Sequence, residues 1–462
     1  MANSRRLLGL ALLCGLLSRP ATSQESLLDV YRRAIQNDPA IREAEATYLA
    51  DAEVKPQARA GLLPTLSLGS SRQHFFQANT QGFTDPVTGE QLPVPTQIDR
   101  DTDSWNVSLN QTVFDWGLYA TLRQADKRVA QAETNYEAAK QNLMIRVANV
   151  YFDVLAAEDT LGATAVTREA RARQLEQAQR RFEVGLIAIT DVQEFQAGYD
   201  TAVADEIAAQ RVLATAGEFL REVIDDIPPD LAGPGDDLPL LTPDPASADA
   251  WAQTAIAQNL ALISSRIAAD IAQDAIDIQR AERLPSLSLS ASYTEQTQDQ
   301  TFTRLNPPPL GTIMAPSLQS PTGRNWQLSL QFPIFTGGLN RSRIQQSVYQ
   351  HRGSLEALEQ VARATERQAR DAYLGVVSEI SRVRALQQAV ESSRTALRAT
   401  EAGFEVGTRT TVDVLTSQDN LRTTETTFAS SRYQYILNVL LLKQAAGTLS
   451  EADIEQVDGW LE

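Results

Sequence analysis

The chain has 462 residues, with 58 acidic against 41 basic side chains, a formal net charge of −17 and only 6% aromatic residues. That balance excludes binding to nucleic acid or anionic lipid through bulk charge, and long tracts rich in alanine, glutamine and charge favour extended helices over a compact core. A lone cysteine, Cys14, excludes a disulfide within the chain.

Residues 1–23 read as a signal peptide. Arg5 and Arg6 precede the apolar run Leu7–Leu17, shorter than the ~20 residues of a spanning helix, and Ala21-Thr22-Ser23 offers a small-residue cleavage site. Cleavage there removes Cys14, and the bulky Leu13 before it argues against a lipid anchor. No later segment is apolar enough for a transmembrane helix, so an exported chain of this kind either stays in an aqueous compartment or meets a membrane through strands.

A first half is expected at 24–227. Leu66 and Leu68, then Trp105, Val107, Leu109 and Val113, alternate with polar residues and predict strands at about 64–76 and 104–114, joined by a polar loop from Gln77 to Asp103. After the N-cap candidate Asp115, a proline-free stretch predicts a helix over 118–184, roughly 100 Å long, then a tip at 185–190 and a return helix over 191–225. A proline-rich connector fills 228–246. The second half, 247–446, repeats the order. Leu287 and Leu289, then Trp326, Leu328, Leu330, Phe332 and Ile334, predict strands at about 285–297 and 325–335, with a polar loop from Gln298 to Arg324 that contains Pro307-Pro308-Pro309. Thr336 is the N-cap candidate for a helix over 339–406, followed by a tip at 407–411, a return helix over 412–446 and a C-terminal segment, 447–462.

The halves echo each other in sequence. LLPTLSLGSS at 62–71 returns as RLPSLSLSAS at 283–292, SWNVSLNQTVFDWG at 104–117 as NWQLSLQFPIFTGG at 325–338, and FEVGLIAITDV at 182–192 as FEVGTRTTVDV at 404–414. The displacement is far longer than any solenoid repeat, so one large unit is used twice. In the last pair, Gly185 and Gly407 supply the permissive backbone that reverses the chain between two helices. Four strands with one apolar face cannot close alone, and open edges are not tolerated in lipid, so a membrane wall of this kind needs several chains.

Signs of catalysis or cofactor binding are missing. There is no phosphate-binding loop, His74 and His351 stand far apart without partner motifs, and with 58 carboxylates a chance acid/base pair is uninformative. The expectation is a protein that is not an enzyme, with no catalytic, cofactor-binding or metal residues.

The signal peptide, the duplicated halves, LLPTLSL and RLPSLSL, VFDWG and IFTGG, RFEVGLIAITDVQ, FEVGTRTTVDVL and the late run YQYILNVLLLKQAAGTLSEADIEQ together resemble the TolC family of outer-membrane efflux and type I secretion ducts. The resemblance covers nearly the whole chain after residue 23. It implies an α+β membrane protein of duplicated β-β-α-α halves, in which a homotrimer contributes four strands per chain to a 12-stranded outer-membrane β-barrel above a periplasmic α-helical barrel of coiled-coil hairpins. It further implies contact with outer-membrane lipid, docking to a periplasmic adaptor (membrane fusion) protein and an inner-membrane pump, and no nucleic-acid partner. Carried onto this sequence, the gate falls at Thr190, Asp191 and Arg409, with Arg409 bonding to Asp191 and Thr190 of a neighbouring chain. Phe404 stands where the family pattern usually has a tyrosine bonded to the first-repeat aspartate, so closure must lean on Arg409 and packing. Asp413 would line the pore constriction, with Thr416 where a second carboxylate usually lies, and Gly185 and Gly407 would meet the adaptor. Three alternatives are a periplasmic adaptor or scaffold, a passive porin and an exported carboxylate enzyme; an adaptor would carry a block of short strands inside 118–227, and none is evident.

Overall fold

The computed structural model describes residues 24–85, 88–228, 230–235, 238–305 and 311–461; the expected signal peptide and the proline run at 307–309 lie outside the described residues. In chain order the first half runs α1 (Leu27–Asn37), α2 (Pro39–Ala52), α3 (Val54–Ala60), β1 (Thr65–Thr84), β2 (Gln91–Phe114), α4 (Trp116–Glu183) and α5 (Ile189–Ile224). The second runs α6 (Ala248–Gln258), α7 (Leu260–Ala281), β3 (Ser286–Leu305), β4 (Thr312–Gln319), β5 (Thr322–Gln331), α8 (Leu339–Glu405), α9 (Thr411–Ala446) and α10 (Glu451–Asp458). The chain divides into two compact units: one takes Tyr136–Leu262 and Ala362–Glu462 with the N-terminal residues through Glu45, the other Ala46–Asn135 and Ile263–Val361.

The second unit holds the sheet. Its strands are all antiparallel in the order β1-β2-β3, and β4 and β5 both pair with the far edge of β3. They are one fourth strand interrupted at Ser320 and Pro321, where Gln296 N–H still reaches the Pro321 carbonyl at 3.1 Å. Directly opposed residues share a face, so the register sorts the side chains. One face aligns Leu66 with Leu109, Leu68 with Val107, Leu289 with Leu328 and Leu287 with Leu330. Above that band come the aromatics: Trp105 lies 5.2 Å from Tyr293, ring centre to ring centre, and Trp326 opposes Ala291. Leu66 is 72% exposed and Trp326 77%, an apolar surface with an aromatic belt at one margin, as a lipid-facing barrel wall requires. The opposite face is polar, with Ser67, Ser108 and Ser292 in line and Ser290 beside Gln327.

The strands run well past the expected limits. Stretches expected as polar loops, from Gln77 to Asp103 and from Gln298 to Arg324, are largely strand. Beyond the aromatic belt the apolar alternation stops, and polar pairs carry the ladder instead: His74 Nδ1 lies 2.9 Å from Asp101 Oδ1, and Arg100 Nε donates to Gln300 Oε1 at 3.1 Å. Strand continues where lipid no longer demands apolar residues, so hydrophobicity alone could not report it. The last strand stops early, at Gln331, because Pro333 has no N–H to give a ladder. Asp115 caps α4, its Oδ1 accepting the Gly117 N–H at 2.7 Å. Thr336 does not cap α8 with its side chain; its carbonyl accepts the Leu339 N–H at 3.2 Å, after Gly337 and Gly338 turn the chain at φ 61° and 90°.

Among its described residues the regular elements of the first unit are all helices, and they share one main core. Leu27 and Val30 of α1, Tyr151 and Phe152 of α4, Leu220 and Ile224 of α5, Ile436 and Leu440 of α9 and Ile454 of α10 are fully or almost fully buried together. Each such side chain is worth about 1.5–3 kcal/mol of transfer free energy. Buried hydroxyls are satisfied: Tyr151 donates to the Ala232 carbonyl at 2.6 Å and Tyr433 to Asp159 Oδ2 at 2.6 Å. Burial, the main cause, pushes the Tyr433 phenol well above its ordinary range.

Candidate gate at the paired helical tips

Both expected site clusters sit where helices reverse in the first unit. In the first tip, Gly185 N–H bonds to the Phe182 carbonyl at 2.9 Å and Leu186 N–H to the Arg181 carbonyl at 2.9 Å. In the second, Gly407 N–H bonds to the Phe404 carbonyl at 3.1 Å and Thr408 N–H to the Gly403 carbonyl at 2.8 Å. These paired bonds are the Schellman closure of a helix, and it needs a left-handed residue. Gly185 and Gly407 supply it at φ 74° and 77°. A Cβ added at either would meet nothing within 4 Å, so glycine is required by the dihedral and not by crowding, and both tips are open to approach.

The cap residues of the return helices, Ala188 and Thr410, stand three positions before equivalent aspartates. Thr410 and Asp413 form a full capping box: Asp413 N–H bonds to Thr410 Oγ1 at 3.3 Å, while Thr410 N–H and Oγ1 both reach Asp413 Oδ2 at 2.9 Å. The Thr410 N–H, then its hydroxyl, and more weakly the nearby Arg409 charge hold the Asp413 carboxyl below the usual carboxylate range. In the first tip Ala188 stands at the cap and has no hydroxyl to offer. Asp191 Oδ2 accepts only the Ala188 N–H, at 3.3 Å.

Phe404 joins the two hairpins. Its ring meets Phe195 edge-on at 5.9 Å, Arg181 lies over it at 5.8 Å, and Leu175, Ala178 and Val192 complete a small apolar cluster. A cleft of about 230 Å³ opens beside it, between Arg181 and Ile187 on one side and Glu401 and Glu405 on the other. Arg409 and Thr190 are exposed, and among the described residues Arg409 makes no ion pair within the chain; its Cγ folds over Gly403, 2.8 Å from where a Cβ would stand there. Thr416 is exposed on α9, one turn beyond Asp413. The fold thus brings Phe404 into the hairpin contact and leaves Thr190, Asp191 and Arg409 unpaired with one another inside one chain. Sequence reasoning missed Arg171, a buried cation higher in the same hairpins. The signal available was a charge in the seven-residue stripe of buried positions Thr164, Arg171 and Ala178.

The model of the outer membrane efflux protein family matches residues 30–224 and 251–448, one match in each half. The outer membrane protein TolC of Vibrio cholerae serotype O1 is 33% identical over 95% of this chain and 94% of its own length. The alkaline protease secretion protein AprF of Pseudomonas aeruginosa is 29% identical over 93% of this chain and 86% of its own. In structure, the Campylobacter jejuni CmeC outer membrane channel superimposes with a TM-score of 0.69 at 14% identity, covering 100% of this chain and 98% of that one. The lipid-compatible wall, the duplicated hairpins and these relatives converge: the chain belongs to the outer membrane efflux protein (TolC) family and is a non-enzymatic outer-membrane channel, the exit duct of a tripartite efflux or type I secretion system.

Proposed function

We propose that three copies of this chain close one 12-stranded barrel and one helical tunnel, that an adaptor docks at Gly185 and Gly407, and that an inner-membrane pump drives cargo through. The observation that carries the trimer is the sheet itself: four antiparallel strands with an exposed apolar face, β1 at one edge and β4 and β5 at the other. Edges in lipid must be paired, and identical chains in a ring pair them all. In this reading each chain uses its two halves, 24–227 and 247–446, as equivalent staves around the connector 228–246.

The resting gate is held between chains. Arg409 is exposed and unpaired within its own chain, and Asp191 keeps acceptor capacity beyond one 3.3 Å bond, so Arg409 of one protomer bonds to Asp191 and Thr190 of the next. Phe404 has no hydroxyl, and the edge-on contact with Phe195 takes over the closure within each chain. Asp413 supplies the carboxylate ring of the constriction, and Thr416 leaves the ring single.

Planar-bilayer recording of the purified trimer tests this. Arg409→Ser should raise the conductance of the resting channel severalfold, since a charge-assisted bond is worth roughly 1.5–3 kcal/mol per contact, less where water reaches it. A parent-like conductance would remove Arg409 from the gate. A monodisperse monomer with full β-content in detergent would remove the trimer.

A further inference from the structure

Arg171 lies on α4 fourteen positions before Gly185, roughly 21 Å up the helix. Only 4% of it is exposed. Its Nη1 donates to the Gly198 carbonyl of α5 at 2.8 Å, its Nη2 to Asp419 Oδ1 of α9 at 2.6 Å, and its Nε is buried without a partner. One guanidinium therefore bridges both helices of the first hairpin to the return helix of the second. Close approach is built in at Gly198, where a Cβ would stand 3.3 Å from both Leu415 methyl carbons and 3.5 Å from Arg171 Nη1. Among the described residues the device exists once. At the equivalent places of the duplicated unit stand the uncharged Ser393 and Ala197, and Ser393 meets Thr424 at 3.5 Å.

A buried guanidinium separated from its carboxylate is strongly penalised, because among the described residues Asp419 is the one ion-pair partner of Arg171 and Nε already lacks a partner. Moving α9 away from α4 and α5 at this level therefore means rehydrating Arg171. We propose that Arg171 is a positioning residue of the channel gate, a pin that fixes the second hairpin to the first within each chain, so that the segments below it, ending at Gly407, swing while the segments above stay docked. This rests on the reading that the tips are the gate. It adds a restraint inside each chain to the Arg409 restraint between chains, and the two are separable.

Asp419 is 47% exposed, so its replacement leaves the hydrophobic core untouched. In planar bilayers Asp419→Asn should raise resting conductance about threefold, and Asp419→Arg, which sets two guanidiniums face to face, about tenfold. Asp419→Glu, which keeps the carboxylate, should restore parent-like conductance. All three variants should still form a trimer that resists mild detergent, because a hairpin that swings open lets water reach Arg171 and relieves the lost counter-charge without unfolding the core. Arg409→Ser is recorded alongside. If Arg409→Ser opens the channel and both Asp419→Asn and Asp419→Arg conduct like the parent, the pin is wrong and the tip gate stands. If all three are parent-like, both readings fall. Conductance that rises only in step with loss of trimer stability also overturns the pin, leaving Arg171 a purely structural contact.

Discussion

The two helical tips are copies of one design that differ at a single decisive position. Each ends its incoming helix on a left-handed glycine, Gly185 or Gly407, and starts its return helix with an aspartate three residues past the cap, Asp191 or Asp413. The cap residue is Ala188 in one and Thr410 in the other. With Thr410 present, Asp413 is drawn into its own helix start by three hydrogen bonds; with Ala188, Asp191 accepts one long bond. In the proposed gate this difference is what leaves Asp191 to accept a donor from a neighbouring chain, while Asp413 is fixed in place by its own cap.

The largest effect that bears on this comparison is at the glycines. Gly407→Asp forces a side chain into left-handed backbone, at about 1–2 kcal/mol, and sets a carboxylate where the open tip would meet a partner. Adaptor-dependent export should fall by roughly two orders of magnitude while the trimer still forms, with Gly185→Asp acting in the same direction. Export at parental levels from Gly185→Asp but not Gly407→Asp would show that the tips, alike in backbone, are not equivalent docking surfaces.

Next comes the constriction. Asp413→Ala should weaken blockade of the channel by a trivalent cation roughly tenfold, and Thr416→Asp should strengthen it by adding a carboxylate about one turn, ~5.4 Å, along α9. The carboxyl of Asp413 is held below its usual range by the Thr410 N–H and hydroxyl and by Arg409. A lowered folded value means that the ionised form is favoured in the folded tip. Its contribution is fully present above the ordinary value of about 4 and is lost only as pH falls through the lowered one, so blockade should persist at pH 4 and fade below it. Blockade already lost at pH 5 would place the cation on other carboxylates.

The smallest effect sharpens the comparison most. Thr410→Ala should lower protection of the first turn of α9 against hydrogen exchange by about 1 kcal/mol, and Ala188→Thr should raise that of α5 by a similar amount. If Asp191 is then captured by its own cap, Ala188→Thr should also weaken the Arg409 contact and raise conductance slightly. Unchanged exchange in both variants would mean that the tips are held by the Phe195–Phe404 contact rather than by their caps.

The tips were legible in the sequence because their signal is local, a glycine that reverses the chain in each copy of one repeated stretch; Asp191 and Asp413 came with the family resemblance, and their part in the caps did not show. The helices were legible for the same reason, since no proline interrupts α4 or α8 and their sequences lack strand alternation. Strands were legible only across the apolar band. Beyond Trp105 the ladder rests on pairs such as Arg100 with Gln300, and each partner alone looks like loop. Arg171 carries one faint local mark, a charge in the seven-residue stripe with Thr164 and Ala178. Its partner Asp419 lies 248 positions away, so the ion pair that explains its burial was not legible.

The free margins of the sheet have a consequence at the level of heredity. One chain leaves β1 unpaired on one side and β4 and β5 on the other, so in the proposed trimer a partial ring has no stable form in lipid and each ring is as sound as its worst member. In a cell that makes equal amounts of a parental chain and a folded but gate-defective one, random mixing in threes leaves only about one ring in eight wholly parental. Defects that act after assembly, such as a charge at Gly407, should therefore be dominant, while defects that stop the strands from pairing should be recessive, because those chains never enter a ring.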